Sequence, residues 1–120
     1  MNSHCYRLPW PPSINHYWKN FVPKGGKRAI TYISAEGKAF RAAVLAECRP
    51  SQPLTGRLAV HLELVAPNRL AKDIDNRIKA TLDALQHAGV YRDDSQIDEL
   101  IVSRRPIEKP GCCDVTIVEL

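Results

Sequence analysis

One α+β domain spanning residues 1–120, with helices packed on a mixed sheet in the order β-α-β-α-β-β, is the fold class this sequence predicts. Three observations carry that prediction. The 120 residues are enough for one hydrophobic core and too few for two. Leu58, Val60, Leu62 and Leu64 alternate with Arg57, His61 and Glu63, the period of a half-buried strand. Ile78, Leu82 and Leu85 recur at helical spacing ahead of Gly89, a natural helix stop.

The remaining elements follow in chain order. Residues 4–8 read as a first strand, ended by "PWPPS", whose prolines cannot continue a ladder. "KNFVPKGGKR", residues 19–28, reads as a flexible basic loop and not as an element. Residues 30–33 extend, and Ser34 then caps a helix that runs to about Cys48, with Glu36 in its first turn. Ala39, Ala42, Ala43 and Ala46 give that helix a small-residue apolar face, flanked by Phe40, while Glu47 interrupts the stripe of Phe40 and Val44. "RPSQPLTG" is a loop, and Pro67 stops the strand that begins at Leu58. The second helix runs from about Asp75 to Ala88, and "YRDDSQ" is a turn. Residues 98–105 and 112–119 read as two strands of a hairpin joined around "KPG".

Composition narrows the function classes. Apolar residues make up 44% and charged residues 25%, as in an ordinary folded protein. No run of about 18 apolar residues is present to span a membrane, and "MNSHCYRLPWPP" lacks the apolar core of a secretory signal. Cys5, Cys48, Cys112 and Cys113 form no C-x-x-C pair, so a disulfide framework or zinc site is not expected and a reducing cytoplasm is. The net charge of +4 hides an asymmetry: residues 1–72 hold 11 Lys and Arg against 3 Asp and Glu, residues 73–120 hold 6 against 10. Cations to hold phosphates beside carboxylates to hold metal suit an enzyme that cuts a polyanion; an unevenly charged solvated surface is the plainer alternative.

The chemistry concentrates in "KDIDNRIKATLDAL", residues 72–85. In an extended segment side chains at i and i+2 share a side, so Asp73 and Asp75 converge at the entrance of the second helix. Lys79, four residues on, lies on the same helical face although a cation there opposes the macrodipole. Asp93 and Asp94 come back beside the helix start only if residues 90–92 run back along it. Two or three carboxylates in one place suit magnesium, which takes oxygen ligands. A site of that kind hydrolyses phosphodiesters, with a lysine stabilising the charge that develops. The plainer account makes Asp75 an N-cap, Asp73 a turn residue and Lys79 the i+4 partner of Asp83. His4, His16, His61 and His87 lie far apart, and no G-x-S-x-G elbow or glycine-rich phosphate loop is present.

Several segments together resemble the RusA family of Holliday-junction resolvases: "LPWPPSIN" at 8–15, "SAEG" at 34–37, "DIDN" at 73–76 with Lys79, "DALQHAGVYRDDSQI" at 83–97, and the closing hairpin. The order agrees and the resemblance covers nearly the whole chain. It implies a RusA-like fold and a homodimeric, magnesium-dependent endonuclease that nicks four-way DNA junctions symmetrically in recombination and repair, with Mn²⁺ as a substitute ion. It places the catalytic aspartates on Asp73, Asp75 and Asp94, the essential lysine on Lys79, a supporting or alternative ligand on Asp93 and a cap or outer-shell donor on Asn76. DNA contacts are expected from Lys24, Lys27, Arg28, Arg69 and Lys72. Val115, Ile117 and Val118, with the first helix's apolar face, are the surfaces expected at a dimer interface. The competing functions are a metal-dependent nuclease for other branched or single-stranded DNA, and a junction-binding module without activity.

Overall fold

The computed structural model describes residues 2–70 and 73–120. Its centre is β4 (Leu58–Val65), and the reason lies in its side chains: Leu58, Val60, Leu62 and Leu64 are all buried, as the alternation predicts. Each such side chain contributes about 1.5–3 kcal/mol when taken from water, so this strand belongs inside a sheet. It is flanked on one side by β6 (Cys112–Glu119), antiparallel, and on the other by β5 (Ile97–Arg105), parallel. β1 (Ser3–Pro9) pairs antiparallel with the far side of β6, giving the mixed order β1-β6-β4-β5.

That order corrects one expectation. β5 and β6 form where the sequence places them but are not hairpin partners, because β4 lies between them. The connecting loop crosses the end of β4, a span of two strand spacings or about 9.6 Å. The amide of Glu108 donates to the carbonyl of Ala66 there, at 3.0 Å. Gly111 closes the crossing at φ +87°, and a Cβ on it would stand 2.9 Å from Pro67. "KPG" is thus a crossover fitted around Pro67. A second correction follows: Val115 and Ile117 are buried on an interior strand, so β6 offers neither an edge nor those side chains to a second copy.

The helices lie against one face of this sheet. α2 (Ala35–Cys48) begins where expected: the Ser34 hydroxyl accepts from the Gly37 amide, and Glu36 stands in the first turn. Its buried face, however, is Gly37, Phe40 and Val44, while Ala39, Ala42 and Ala46 are exposed. Phe40 and Val44 bury far more apolar area than alanines do, so they win the inward side. α3 (Ile78–His87) follows a 3₁₀ turn at Asp75–Arg77 and buries Ala80, Thr81, Ala84 and Leu85, with Ile78 and Leu82 partly buried beside them. The opposite sheet face is polar, with Arg7 on Asp114 at 2.8 Å and Arg105 on Glu63 at 2.8 Å.

Residues 18–21 depart from the loop expected of them. A short helix α1 (Ile14–Tyr17) leads into β2 (Trp18–Phe21), which pairs antiparallel with β3 (Ile30–Ile33) as a separate two-stranded sheet. The basic segment is the tip of this hairpin. Tyr17 is fully buried at its root, edge-on to Trp18 with ring centroids 4.5 Å apart. The Tyr17 hydroxyl donates to the Asp83 carboxylate, and Arg41 donates to that carboxylate at 2.7 Å and to the Tyr17 oxygen at 2.7 Å. One carboxylate on α3 therefore holds α1 and α2 at once. The four cysteines are free thiols, and burial pushes Cys113 up to about 12 and Cys48 up to about 11.

Replacing Asp83 by Ala leaves Arg41 and Tyr17 without their shared acceptor in a site where the Arg41 and Asp83 side chains are 22% and 29% exposed. The expected loss is about 2–3 kcal/mol in urea unfolding, below that of a fully buried pair because solvent screens the site. A midpoint equal to the parent's would show that the three helices are held by apolar packing alone.

Candidate metal and phosphate site

The D-x-D segment is not the extended stretch expected: Ile74 is helical and Asp75 opens a 3₁₀ turn, so the shared side argued from i and i+2 does not hold, although both carboxylates are exposed. Asp73 and Asp75 are exposed, and the Asn76 amide donates to the Asp73 carbonyl at 3.4 Å, closing the turn that separates them. Neither aspartate is a helix cap: the 3₁₀ turn is preceded by Ile74 without a side-chain cap, and α3 by Arg77. Lys79 is exposed on the first turn of α3. Its plainer role, pairing with Asp83, is already taken, since Asp83 is held by Arg41 and Tyr17. Among the described residues the side chains of Asp73, Asp75 and Lys79 have no hydrogen-bond or ion-pair partner. All three are exposed to solvent.

Asp93 and Asp94 lie beyond α3, beside its second half. The Asp94 amide donates to the Gln86 side chain at 3.0 Å, and Gln86 lies eleven residues beyond Asp75, roughly three helical turns or about 16 Å along the axis. The chain reverses tightly after α3, with the Val90 amide on the Leu85 carbonyl at 3.1 Å, and the Tyr91 hydroxyl donates to the Leu82 carbonyl at 2.6 Å. The return therefore stops in the second half of the helix. Asp93 caps the 3₁₀ turn Asp94–Gln96: its carboxylate accepts from the Ser95 amide at 2.9 Å, while Gln96 accepts from the Asp93 amide at 3.0 Å. The Ser95 amide, then the neighbouring Asp94 carboxyl and the Ser95 hydroxyl, hold Asp93 below the usual carboxylate range. Asp94 is half-buried beside it.

Two residues that sequence reasoning passed over fix the D-x-D turn. The guanidinium of Arg77, last residue of the 3₁₀ turn, lies over the Trp10 ring at 5.0 Å and donates to the Pro11 carbonyl at 2.7 Å. Its Nε is buried without a partner, and burial lowers its pKa without removing its charge. "PWPP" is readable as a strand stop; the signal for its second role is an arginine two residues after Asp75 and an aromatic among prolines. On its other side Trp10 walls a cleft of about 130 Å³ that Asp73, Arg69, Arg104 and Ile107 also line.

The expected DNA contacts divide in space. Lys24, Lys27 and Arg28 are exposed between β2 and β3, whereas Arg69 shares the cleft with Asp73. Lys72 lies outside the described residues.

The donor set fits a hard divalent cation in kind, since all of it is carboxylate oxygen. It is not gathered within one chain: among the described residues no three His, Cys, Asp or Glu side chains stand close enough to hold a metal. Asp73 and Asp75 stand at the entrance of α3, and the Asp94 amide is held by Gln86 in its second half.

Known proteins resemble this chain throughout. The family model described as Endodeoxyribonuclease RusA matches residues 9–117. Over 123 aligned residues the chain is 35% identical to the crossover junction endodeoxyribonuclease RusA of Escherichia coli, covering 100% of this chain and 98% of the relative. The protein of the same name from Shigella sonnei is also 35% identical, and that of Enterobacteria phage 82 is 37% identical, each with the same coverage. A match that takes in the proline segment, the D-x-D turn, Lys79 and Asp94 leaves one conclusion: the chain belongs to the RusA family of endodeoxyribonucleases.

Proposed function

We propose that this chain is a crossover junction endodeoxyribonuclease, a structure-selective enzyme that resolves four-way DNA junctions by hydrolysing phosphodiester bonds. The observation that carries this reading is the family match over residues 9–117, which runs through every residue of the acidic site. The geometry supports it: Asp73, Asp75 and Lys79 are exposed at one helix entrance and unpaired among the described residues, while their neighbour Asp83 is consumed by structure.

In this reading residues 1–120 act as one endonuclease domain. Asp73, Asp75 and Asp94 hold a divalent cation, magnesium by preference and manganese as substitute. When bound, such an ion lowers the pKa of water and neutralises charge on the phosphoryl oxygens. Lys79 then donates to the phosphate oxygen on which negative charge grows, an interaction stronger in the transition state than in the ground state. Arg77 and Trp10 keep the turn in place, Asn76 closes it, and Asp93 orients Asp94 through the 3₁₀ cap. Lys24, Lys27, Arg28, Arg69 and Lys72 bind phosphates.

The chain works as a homodimer. Resolution needs a nick in each of two like strands, and a two-fold dimer places two sites under the symmetry of an open junction. Because no three acidic side chains gather among the described residues, and the Asp94 amide is held by the Gln86 side chain in the second half of α3, the second copy supplies Asp94 to the D-x-D turn of the first. No helix among the described residues is long and apolar enough to cross a membrane, and we place the enzyme in the cytoplasm.

Labelled four-way junction incubated beside duplex, flap and single-stranded controls tests the main reading; cleavage of the flap or single strand in preference to the junction would favour the broader nuclease. Lys79→Ala should slow junction cleavage on the order of 10²–10³-fold while urea unfolding moves by less than about 0.5 kcal/mol. Rates near the parent's would remove the lysine from the chemistry. The shared site predicts complementation. Asp75→Asn and Asp94→Asn homodimers should each be inactive yet bind junctions. Their mixture should regain single-strand nicking, because one of the two sites in a mixed dimer then has all its carboxylates. A mixture as dead as its components would place all three ligands in one chain.

A further inference from the structure

The β2–β3 hairpin is built inside out. Cross-strand pairs put Trp18 with Ile33 and Asn20 with Thr31 on one face, and Lys19 with Tyr32 and Phe21 with Ile30 on the other. The first face is accounted for: Trp18 and Ile33 pack against the core, and Thr31 donates to Asn20 at 2.7 Å. The second is not. Phe21 is 50% exposed, Ile30 47% and Tyr32 48%, with the Phe21 and Tyr32 rings edge to face at 6.4 Å. A two-stranded hairpin is marginal alone, and this one spends its best aromatic pair on the solvent side.

Charge decides what covers that face. Lys19 stands on it, Lys24, Lys27 and Arg28 follow at the tip, and no Asp or Glu occurs in the first 35 residues of the chain. A second copy meeting this face across a two-fold axis would bring the same cations together. A polyanion with exposed rings complements it. Phosphates meet the cations, and unstacked bases offer π-faces to Phe21 and Tyr32, the pairing of charge and stacking by which single-stranded nucleic acid is bound. A four-way junction presents such bases only at its branch point, where the stacked arms part.

We propose that the aromatic face of the β2–β3 hairpin, Phe21 and Tyr32 above all, enters the branch point of the bound junction and stacks on the bases unstacked there, holding the junction open. The inference rests on the junction reading above and adds to it the element that recognises the branch. The hairpin is suited to a wedge because its root is fixed: Tyr17 is buried beneath it, and the Ser34 amide donates to the Tyr17 carbonyl at 3.0 Å. The tip turns on Gly25 at φ +80°, with the Gly26 amide on the Pro23 carbonyl at 2.8 Å.

The test uses the full chain in EDTA, so that nothing is cut, with a four-way junction carrying 2-aminopurine at the branch point and a duplex carrying it centrally. The parent protein should raise the junction's fluorescence and prefer junction to duplex. The double variant Phe21→Leu and Tyr32→Leu, which keeps apolar bulk, should lose the rise and about tenfold of that preference, with duplex affinity and its salt dependence unchanged. Tyr32→Phe should behave as the parent. Replacing Lys24, Lys27 and Arg28 by Gln should weaken junction and duplex together and flatten the salt dependence. A full fluorescence rise in the Leu variant overturns the wedge alone. So does a change from dimer to monomer on sedimentation, which would give the face to self-association. A parent protein with no preference for the junction overturns the functional reading and the wedge with it.

Discussion

The carboxylate of Asp83 is the constraint on which the rest of this structure turns. It takes the Tyr17 hydroxyl from α1 and the Arg41 guanidinium from α2, so three helices are referred to one point. Burial first, and this carboxylate second, push the Tyr17 phenol above its ordinary range, so the hydroxyl stays a donor at any physiological pH. The consequences run outward. With Tyr17 fixed, its carbonyl receives the Ser34 amide, and α2 begins so close by that a Cβ on Gly37 would lie 2.5 Å from that same oxygen. With Asp83 spent on structure, Lys79 keeps its charge outward one turn from Asp75. Structure and chemistry divide a single helix face between them.

A second constraint sets the D-x-D turn, and it carries a cost. Stacking Arg77 on Trp10 and tying it to the Pro11 carbonyl buries an Nε without a partner. An unmet buried donor costs about 1–3 kcal/mol, more for a charged group. Local rules are broken in this way where function asks for a fixed geometry. The clasp of Trp10, Pro11 and Arg77 thereby anchors the 3₁₀ turn that carries Asp75 to the proline segment.

What could be read in the sequence was whatever one residue type at one spacing decides. The alternation of Leu58 to Leu64, the hydroxyl of Ser34 three residues before Gly37, and the stop at Gly89 all stand as expected. What could not be read depended on comparing distant alternatives. Strands adjacent in sequence usually pair, and only the greater apolar burial of β4 sends it between β5 and β6. The alanine stripe of α2 has helical period, yet period does not say which of two stripes turns inward; side-chain area does. Residues 30–33 extend as read, but their partner around Phe21 gave no strand signal, because a strand with its aromatic toward solvent inverts the pattern that marks one. In the candidate site, spacing put Lys79 one turn past Asp75, but the extended D-x-D segment it suggested is a 3₁₀ turn, and the place of Asp94 hung on its amide donating to the Gln86 side chain.

The separation of charges along the chain then takes on a mechanical sense. The acid-free first 35 residues supply the hairpin, and the acidic second half supplies the turn and the 3₁₀ cap; on the proposed function the hairpin cations that grip phosphate then lie apart from the carboxylates, while Arg69 shares the cleft with Asp73. Repulsion between DNA and the carboxylates is thereby kept to the few positions where a cation offsets it. On the dimeric reading, Asp94 and the D-x-D turn meet only between copies. A lone chain then carries the grip without a complete site, and hydrolysis is confined to the assembly whose symmetry matches the junction. On that reading, cutting only when paired needs no separate regulatory element.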